Sequence, residues 1–206
     1  MDMIFRRKLI SEVQSEDPTQ LPAVEPHLPL GSICSLRDAV TASGVFGVDP
    51  GLDGAIAFIR EDGTAWAQLT PVFSAGSGGR REFDIAGMRA LLTKETAALA
   101  IIEAASARPG QGVTSMFRFG QGHGIWLGML AALRIPHEVV QSQTWKRVVL
   151  AGRSHDKAGA LGYCERRFPR VPLLATPRST KPHDGLADAL CLAEWGRRLL
   201  AGEKTT

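Results

Sequence analysis

The sequence predicts an α/β protein: a mixed five-stranded sheet, three antiparallel strands followed by two parallel ones, with helices on both faces. Three observations carry this. Apolar runs of strand length recur at 44–49, 55–59 and 64–69 with only turn signals between them. Two later runs, 97–103 and 136–141, each follow a segment of helical character, the pattern of a sheet that turns parallel. A sequence of 206 residues with 44% hydrophobic composition supplies one sizeable core.

In chain order, residues 1–43 mix prolines (Pro18, Pro22, Pro26, Pro29), serines and acids with short apolar stretches, the composition of a weakly structured extension with a short helix at 5–14. The domain proper is expected over 44–206. Its first strand, 44–49, ends in Asp49, and Pro50 stops the ladder. Strands two and three flank Glu61-Asp62-Gly63, whose Asp-Gly is a hairpin signal. Residues 74–80 read as a Gly/Ser/Arg loop. Asp84 caps a helix reaching 95, and the fourth strand, 97–103, ends in Glu103. The glycine-rich stretch 106–124 reads as a loop before an apolar helix at 125–133. Strand five covers 136–141, helices cover 143–150 and 157–168, and 169–182 is a loop with four prolines. The last helix starts at His183 or Asp184 and runs to Leu200.

Composition removes several function classes. No run approaches the ~18 apolar residues of a membrane helix, and the start lacks the apolar core of a secretory signal, so a cytoplasmic protein without membrane partners is expected. Cys34, Cys164 and Cys191 are odd in number and in no CxxC spacing, which argues against a disulfide framework or a cysteine zinc site. The formal net charge of +3 hides an asymmetry: residues 134–181 hold ten basic and three acidic residues. Such a surface suits a polyanion, although a solvated arginine-rich helix face would look the same.

Carboxylates supply the chemistry. Asp49 and Glu103 each end a buried strand, where a side chain emerges at the sheet edge. Asp184 and Asp188 are four apart and share one helix face, and Asp188 stands against the apolar Ala187, Ala189, Leu190 and Leu192. Three or four carboxylates from separate elements match the oxygen coordination of magnesium, with manganese able to substitute. Two such ions about 4 Å apart activate a water and stabilise a leaving 3′-oxygen, with Asp49 as bridging ligand. Asp53 reads as a turn residue. His183 stands near the site as general base, metal neighbour or cap-adjacent polar residue. Lys146 and Lys157 are candidate phosphate contacts or surface lysines, and Arg108, Arg147, Arg178 and Lys181 are candidate nucleic-acid contacts. Within Phe117-Arg118-Phe119-Gly120-Gln121-Gly122-His123-Gly124, either an aromatic stacks on a base with Arg118 on a phosphate, or the segment is a flexible connection with both phenylalanines in the core.

These residues also carry a resemblance. Gly47-Val48-Asp49-Pro50-Gly51, Ile101-Ile102-Glu103, Phe119-Gly120-Gln121-Gly122-His123-Gly124, Gln143-Thr144-Trp145-Lys146 and His183-Asp184-Gly185-Leu186-Ala187-Asp188-Ala189-Leu190 resemble the RuvC-type Holliday junction resolvases, nearest their phage, bacterial and chloroplast branch. The resemblance implies an RNase H-like fold and a homodimer that resolves four-way DNA junctions by paired, magnesium-dependent symmetrical nicks. It matches Asp49, Glu103 and Asp188 to the family's metal-binding acids, and Lys146 and Lys157 to basic residues near junction phosphates. The two C-terminal acids are three apart in bacterial RuvC and four apart here, so Asp184 or His183 fills the fourth place. Residues 1–43 have no counterpart. The helix 122–133, with Gly124, Gly128 and Ala131 on one side, is either a dimer interface or a core helix.

The alternatives are an RNase H-like nuclease for another branched or hybrid nucleic acid, and a non-catalytic junction-binding protein. The turn after Asp49 also resembles the phosphate loop of actin-like kinases, but this chain has no room for their second large domain. Location is expected to be nucleoid-associated in a cell, or host cytoplasm for a phage protein.

Overall fold

The computed structural model describes residues 44–75, 79–105, 110 and 112–203. The expected extension 1–43, the candidate Arg108 and Cys34 lie outside them. Strand β1 (Gly44–Asp49) is central. It pairs antiparallel with β2 (Ala55–Arg60), which pairs antiparallel with β3 (Ala65–Leu69). A separate two-stranded sheet, β4 (Val72–Ala75) and β5 (Arg80–Phe83), leads into helix α1 (Ile85–Leu92), whose N-cap Asp84 accepts the Gly87 amide at 3.0 Å. Strand β6 (Leu99–Glu103) then pairs parallel with β1, and after α2 (Val113–Ala132) strand β7 (His137–Val140) pairs parallel with β6. Helices α3 (Ser142–Val149), α4 (Lys157–Arg167) and α5 (Asp184–Leu200) complete the chain. The main sheet has the order β3-β2-β1-β6-β7, the predicted three antiparallel strands with two parallel ones added.

The alternation along β1 divides the core. Phe46 and Val48 face Met88 and Leu92 of α1 and Trp126 and Leu130 of α2, while Val45 faces the α5 layer of Leu186, Ala189, Leu190 and Ala193. Each such large side chain contributes about 1.5–3 kcal/mol by leaving water. Gly47 lets α5 seat directly on the strand. A Cβ there would stand 2.1 Å from the Ala189 carbonyl oxygen and 2.3 Å from the Ala193 nitrogen, so any larger residue pushes the helix off. That close seat brings the start of α5 to the C-terminal end of β1.

Two expectations need correction. Residues 74–80 are not simply a loop, because their flanks pair as β4 and β5, with Val72 opposite Phe83 and Ala75 opposite Arg80. Apolar alternation gave no warning, since Phe73 is exposed and the hairpin is tied down by ion pairs. The glycine-rich segment through Gly124 is helical from Val113 onward. Its glycines weaken helix propensity by about 1 kcal/mol each, but the buried row Arg118, Gly122, Trp126 and Leu130, at helical spacing, outweighs them.

Candidate active site

Parallel pairing places Val48 beside Ile102, so the next residues along each strand, Asp49 and Glu103, leave the sheet side by side at one edge. Neighbouring strands lie about 4.8 Å apart, which makes two carboxylates there close and mutually repelling. The first turns of α5 add Asp184 and Asp188. Burial pushes the Asp49 carboxyl well above the ordinary range; Glu103 and Asp188 push it further, a bond from the Gly51 amide opposes them, and Asp184 adds a smaller push. Asp188 is driven up to about 6, first by burial, with Lys146 pulling it down and Glu103 and Asp184 pushing it up. Asp49 therefore feels the three other acids, and Asp188 feels Glu103 and Asp184.

The spacing of the α5 acids has a steric reason. Three residues before Asp188 stands Gly185, where a Cβ would lie 2.7 Å from the Asp53 carbonyl oxygen and 3.2 Å from Asp49 Oδ2. No side chain fits there, and the acid occurs one residue earlier. Asp184 pairs with Lys157, whose hydrogen bond holds the Asp184 carboxyl below its ordinary value. His183 is the N-cap residue of α5 and makes no side-chain cap bond; its Nδ1 is buried without a hydrogen-bond partner among the described residues. It lies close enough to Asp53 and Asp184 to help lower both carboxyls. Both candidates for the fourth place thus stand beside the acids.

Two lysines border the cluster. Lys157 opens α4 and feels Asp188 and Asp49 as well as Asp184. Lys146 on α3 lies 5.1 Å from the centroid of the Trp145 ring and acts on Asp188. A cleft of about 690 Å³ lies beside the acids, with Asp49, Asp53, Lys157 and Asp184 at its charged side and Leu52 and Phe119 among its apolar walls.

The other candidates separate. Phe119 lines the cleft, whereas Phe117 is 68% exposed. Arg118 also borders the cleft, but its guanidinium is spent on Glu82, donating at 2.7 and 3.0 Å. Arg147, Arg178 and Lys181 are exposed. Asp53 is more than a turn residue, because Arg81 forks onto it at 2.7 and 3.1 Å. Sequence reading missed Arg81 and Glu82; the alternation of opposite charges in Arg81-Glu82 was the only available signal.

Among the described residues no group of three or more His, Cys, Asp or Glu side chains stands ready to grip an ion together. The donor set still fits a hard divalent cation. It offers oxygen ligands from three elements, and the charge that makes Asp49 and Asp188 costly is what a cation would neutralise.

No protein-family model matches the chain, and no curated protein matches it. Among solved structures it is similar to RuvC of Thermus thermophilus, with TM-score 0.48, 18% identity and coverage of 77% of this chain and 96% of that one. It is likewise similar to Thermus thermophilus RuvC in complex with Holliday junction substrate, with TM-score 0.48, 14% identity and coverage of 77% and 96%. The yeast mitochondrial Holliday junction resolvase Ydc2 gives TM-score 0.44, 14% identity and coverage of 74% and 77%. The sheet order β3-β2-β1-β6-β7, with its three antiparallel strands and two parallel ones, is the arrangement of an RNase H-like fold.

Proposed function

We propose that this chain is a metal-dependent endodeoxyribonuclease that resolves four-way DNA junctions by paired symmetrical nicks. One observation carries the nuclease reading: Asp49, Glu103 and Asp188, from β1, β6 and α5, gather at one sheet edge with Lys146 and Lys157 beside them. The sequence resemblance supports the choice of substrate.

In this reading Asp49, Glu103 and Asp188 hold the metal, with Asp184 or His183 completing the set. Magnesium, as two ions, would supply an activated water and charge stabilisation for the leaving 3′-oxygen. Lys146 and Lys157 hold the flanking phosphates, and Lys157 exchanges Asp184 for a phosphate oxygen as DNA enters. Arg147, Arg178 and Lys181 extend the positive surface along the arms. The water oxygen bonds to phosphorus, the bond from phosphorus to O3′ breaks, and the products are a 5′-phosphate and a 3′-hydroxyl.

The test is incubation of the full chain with end-labelled mobile and immobile four-way junctions, a plain duplex and an RNA–DNA hybrid, with and without magnesium. Symmetrically paired nicks confined to the junctions are expected, and Asp49→Asn should bind junctions while cutting at least about 1,000-fold more slowly. Preferential cutting of the hybrid would replace the resolvase reading with a hybrid nuclease. Tight junction binding without cleavage by the wild type would leave a binding protein.

A further inference from the structure

The β4–β5 hairpin stands apart from the main sheet, yet two consecutive β5 residues, Arg81 and Glu82, bond to residues in the walls of the cleft, and the next, Phe83, packs on α2. Arg81 forks onto Asp53, with Nη1 donating to Oδ1 at 2.7 Å and Nη2 to Oδ2 at 3.1 Å. Glu82, on the opposite face of the strand, accepts Arg118 of α2. Phe83 lies against Gly122 of α2, where a Cβ would meet its ring at 2.7 Å and the Pro50 carbonyl oxygen at 2.1 Å. One short strand therefore ties the β1–β2 turn to α2.

The Asp53 end connects to the reacting centre through the backbone of that turn. The Gly51 amide acts on the Asp49 carboxyl, opposing the upward push of burial. The Gly51 carbonyl accepts the Gly54 amide at 3.0 Å, and the Gly54 carbonyl accepts the Thr70 amide at 3.0 Å. Asp53 sits inside this chain of bonds, with its carbonyl against Gly185. The side chains of Arg81 and Asp53 are 46% and 72% exposed, so the pair adds little to stability. A fork of two parallel bonds does fix orientation, and ligand orientation is what a metal centre takes from its surroundings.

We propose that Arg81 is a positioning residue: through its bidentate pair with Asp53 it locks the turn 50–54 and so holds the Asp49 carboxylate in its metal-binding orientation. This rests on the metal-dependent nuclease reading. It predicts a defect in metal affinity and turnover rather than in DNA affinity or folding.

The experiment compares wild type, Arg81→Ala, Arg81→Lys and the swapped pair Arg81→Asp with Asp53→Arg. Mn²⁺ affinity is measured by isothermal titration calorimetry without DNA, and kcat and KM on a four-way junction. In Arg81→Ala, Mn²⁺ affinity and kcat each fall about tenfold while KM stays within about twofold. Arg81→Lys, which keeps the charge but loses the fork, falls between it and wild type, and the swap recovers most of the Mn²⁺ affinity. Melting temperatures should stay within about 2 °C of wild type. Unchanged Mn²⁺ affinity in Arg81→Ala overturns the proposal, as does a raised KM with intact kcat, which would make Arg81 a substrate contact. Failure of the swap to recover affinity also overturns it, because the pair would not be what holds the turn. If wild type binds Mn²⁺ but cuts no junction, the resolvase reading fails and the Mn²⁺ ratios alone decide; if it binds no Mn²⁺, both fall.

Discussion

Asp188 shows how a single residue trades stability for a site. Its carboxyl is pushed up to about 6 by burial and by Glu103 and Asp184, despite the opposing charge of Lys146. A group so placed costs free energy whenever it is charged and no cation is present. Asp188→Asn should raise the melting temperature of metal-free protein by about 2–4 °C, the size of change that about 1 kcal/mol produces in a chain of this length. The same variant should lose cleavage and the stabilisation wild type gains from Mn²⁺. Calorimetry with and without Mn²⁺ checks both, and a lower metal-free melting temperature would show that Asp188 is a structural polar group. Asp49, Glu103 and Asp188 were legible in the sequence because their signal is local, a carboxylate ending or interrupting an apolar pattern. The Arg81–Asp53 pair was not: its partners are 28 positions apart, and no periodicity links them.

The elements that carry the lysines are held by another buried acid. Glu194 of α5, 1% exposed, accepts Arg197 Nε at 2.7 Å and Arg198 Nε at 3.1 Å. Arg198 also donates to the Val148 carbonyl of α3 at 3.1 Å and to the Tyr163 hydroxyl of α4 at 3.0 Å. One network thus docks α3, with Lys146, and α4, with Lys157, onto α5. Burial alone would push the Glu194 carboxyl up, but the guanidinium bonds prevail and hold it below the ordinary glutamate value of 4.5. A depressed carboxylate adds stability that is present above the ordinary value and is lost as pH falls through the depressed one. Glu194→Gln should therefore cost about 3 kcal/mol in urea unfolding at pH 7. The gap between variant and wild type should narrow below pH 4.5; a gap that stays constant to pH 3 would remove Glu194 as the source. At this scale the strands of the main sheet were readable from apolar alternation and turn chemistry. The first half of helix α2, 113–124, was hidden because what holds it is tertiary: Gly122 must be small to admit Pro50 and Phe83, and a glycine in sequence looks like a break.

For the whole molecule, the proposed paired nicks would require two active sites related by a two-fold axis, and we propose the exposed side of α2 as the surface for that pairing. Val113, Phe117, Gly120, Gly124, Gly128 and Ala131 recur at helical spacing, exposed and uncharged. A Cβ added at Gly120, Gly124 or Gly128 meets nothing within 4 Å in the single chain. Within one protomer, replacing such a glycine should therefore stabilise α2, by up to about 1 kcal/mol for a good helix former. In a close helix-to-helix dimer the same change puts a side chain where the partner's backbone must lie. Gly124→Leu separates the two situations because the predicted effects have opposite signs. If α2 is the interface, sedimentation velocity gives a dimer for wild type and a monomer for the variant, while the variant's own unfolding free energy does not fall. Junction cleavage by the variant should then yield single, unpaired nicks. A variant that remains dimeric and cuts in pairs would place the two-fold axis on another face of the molecule.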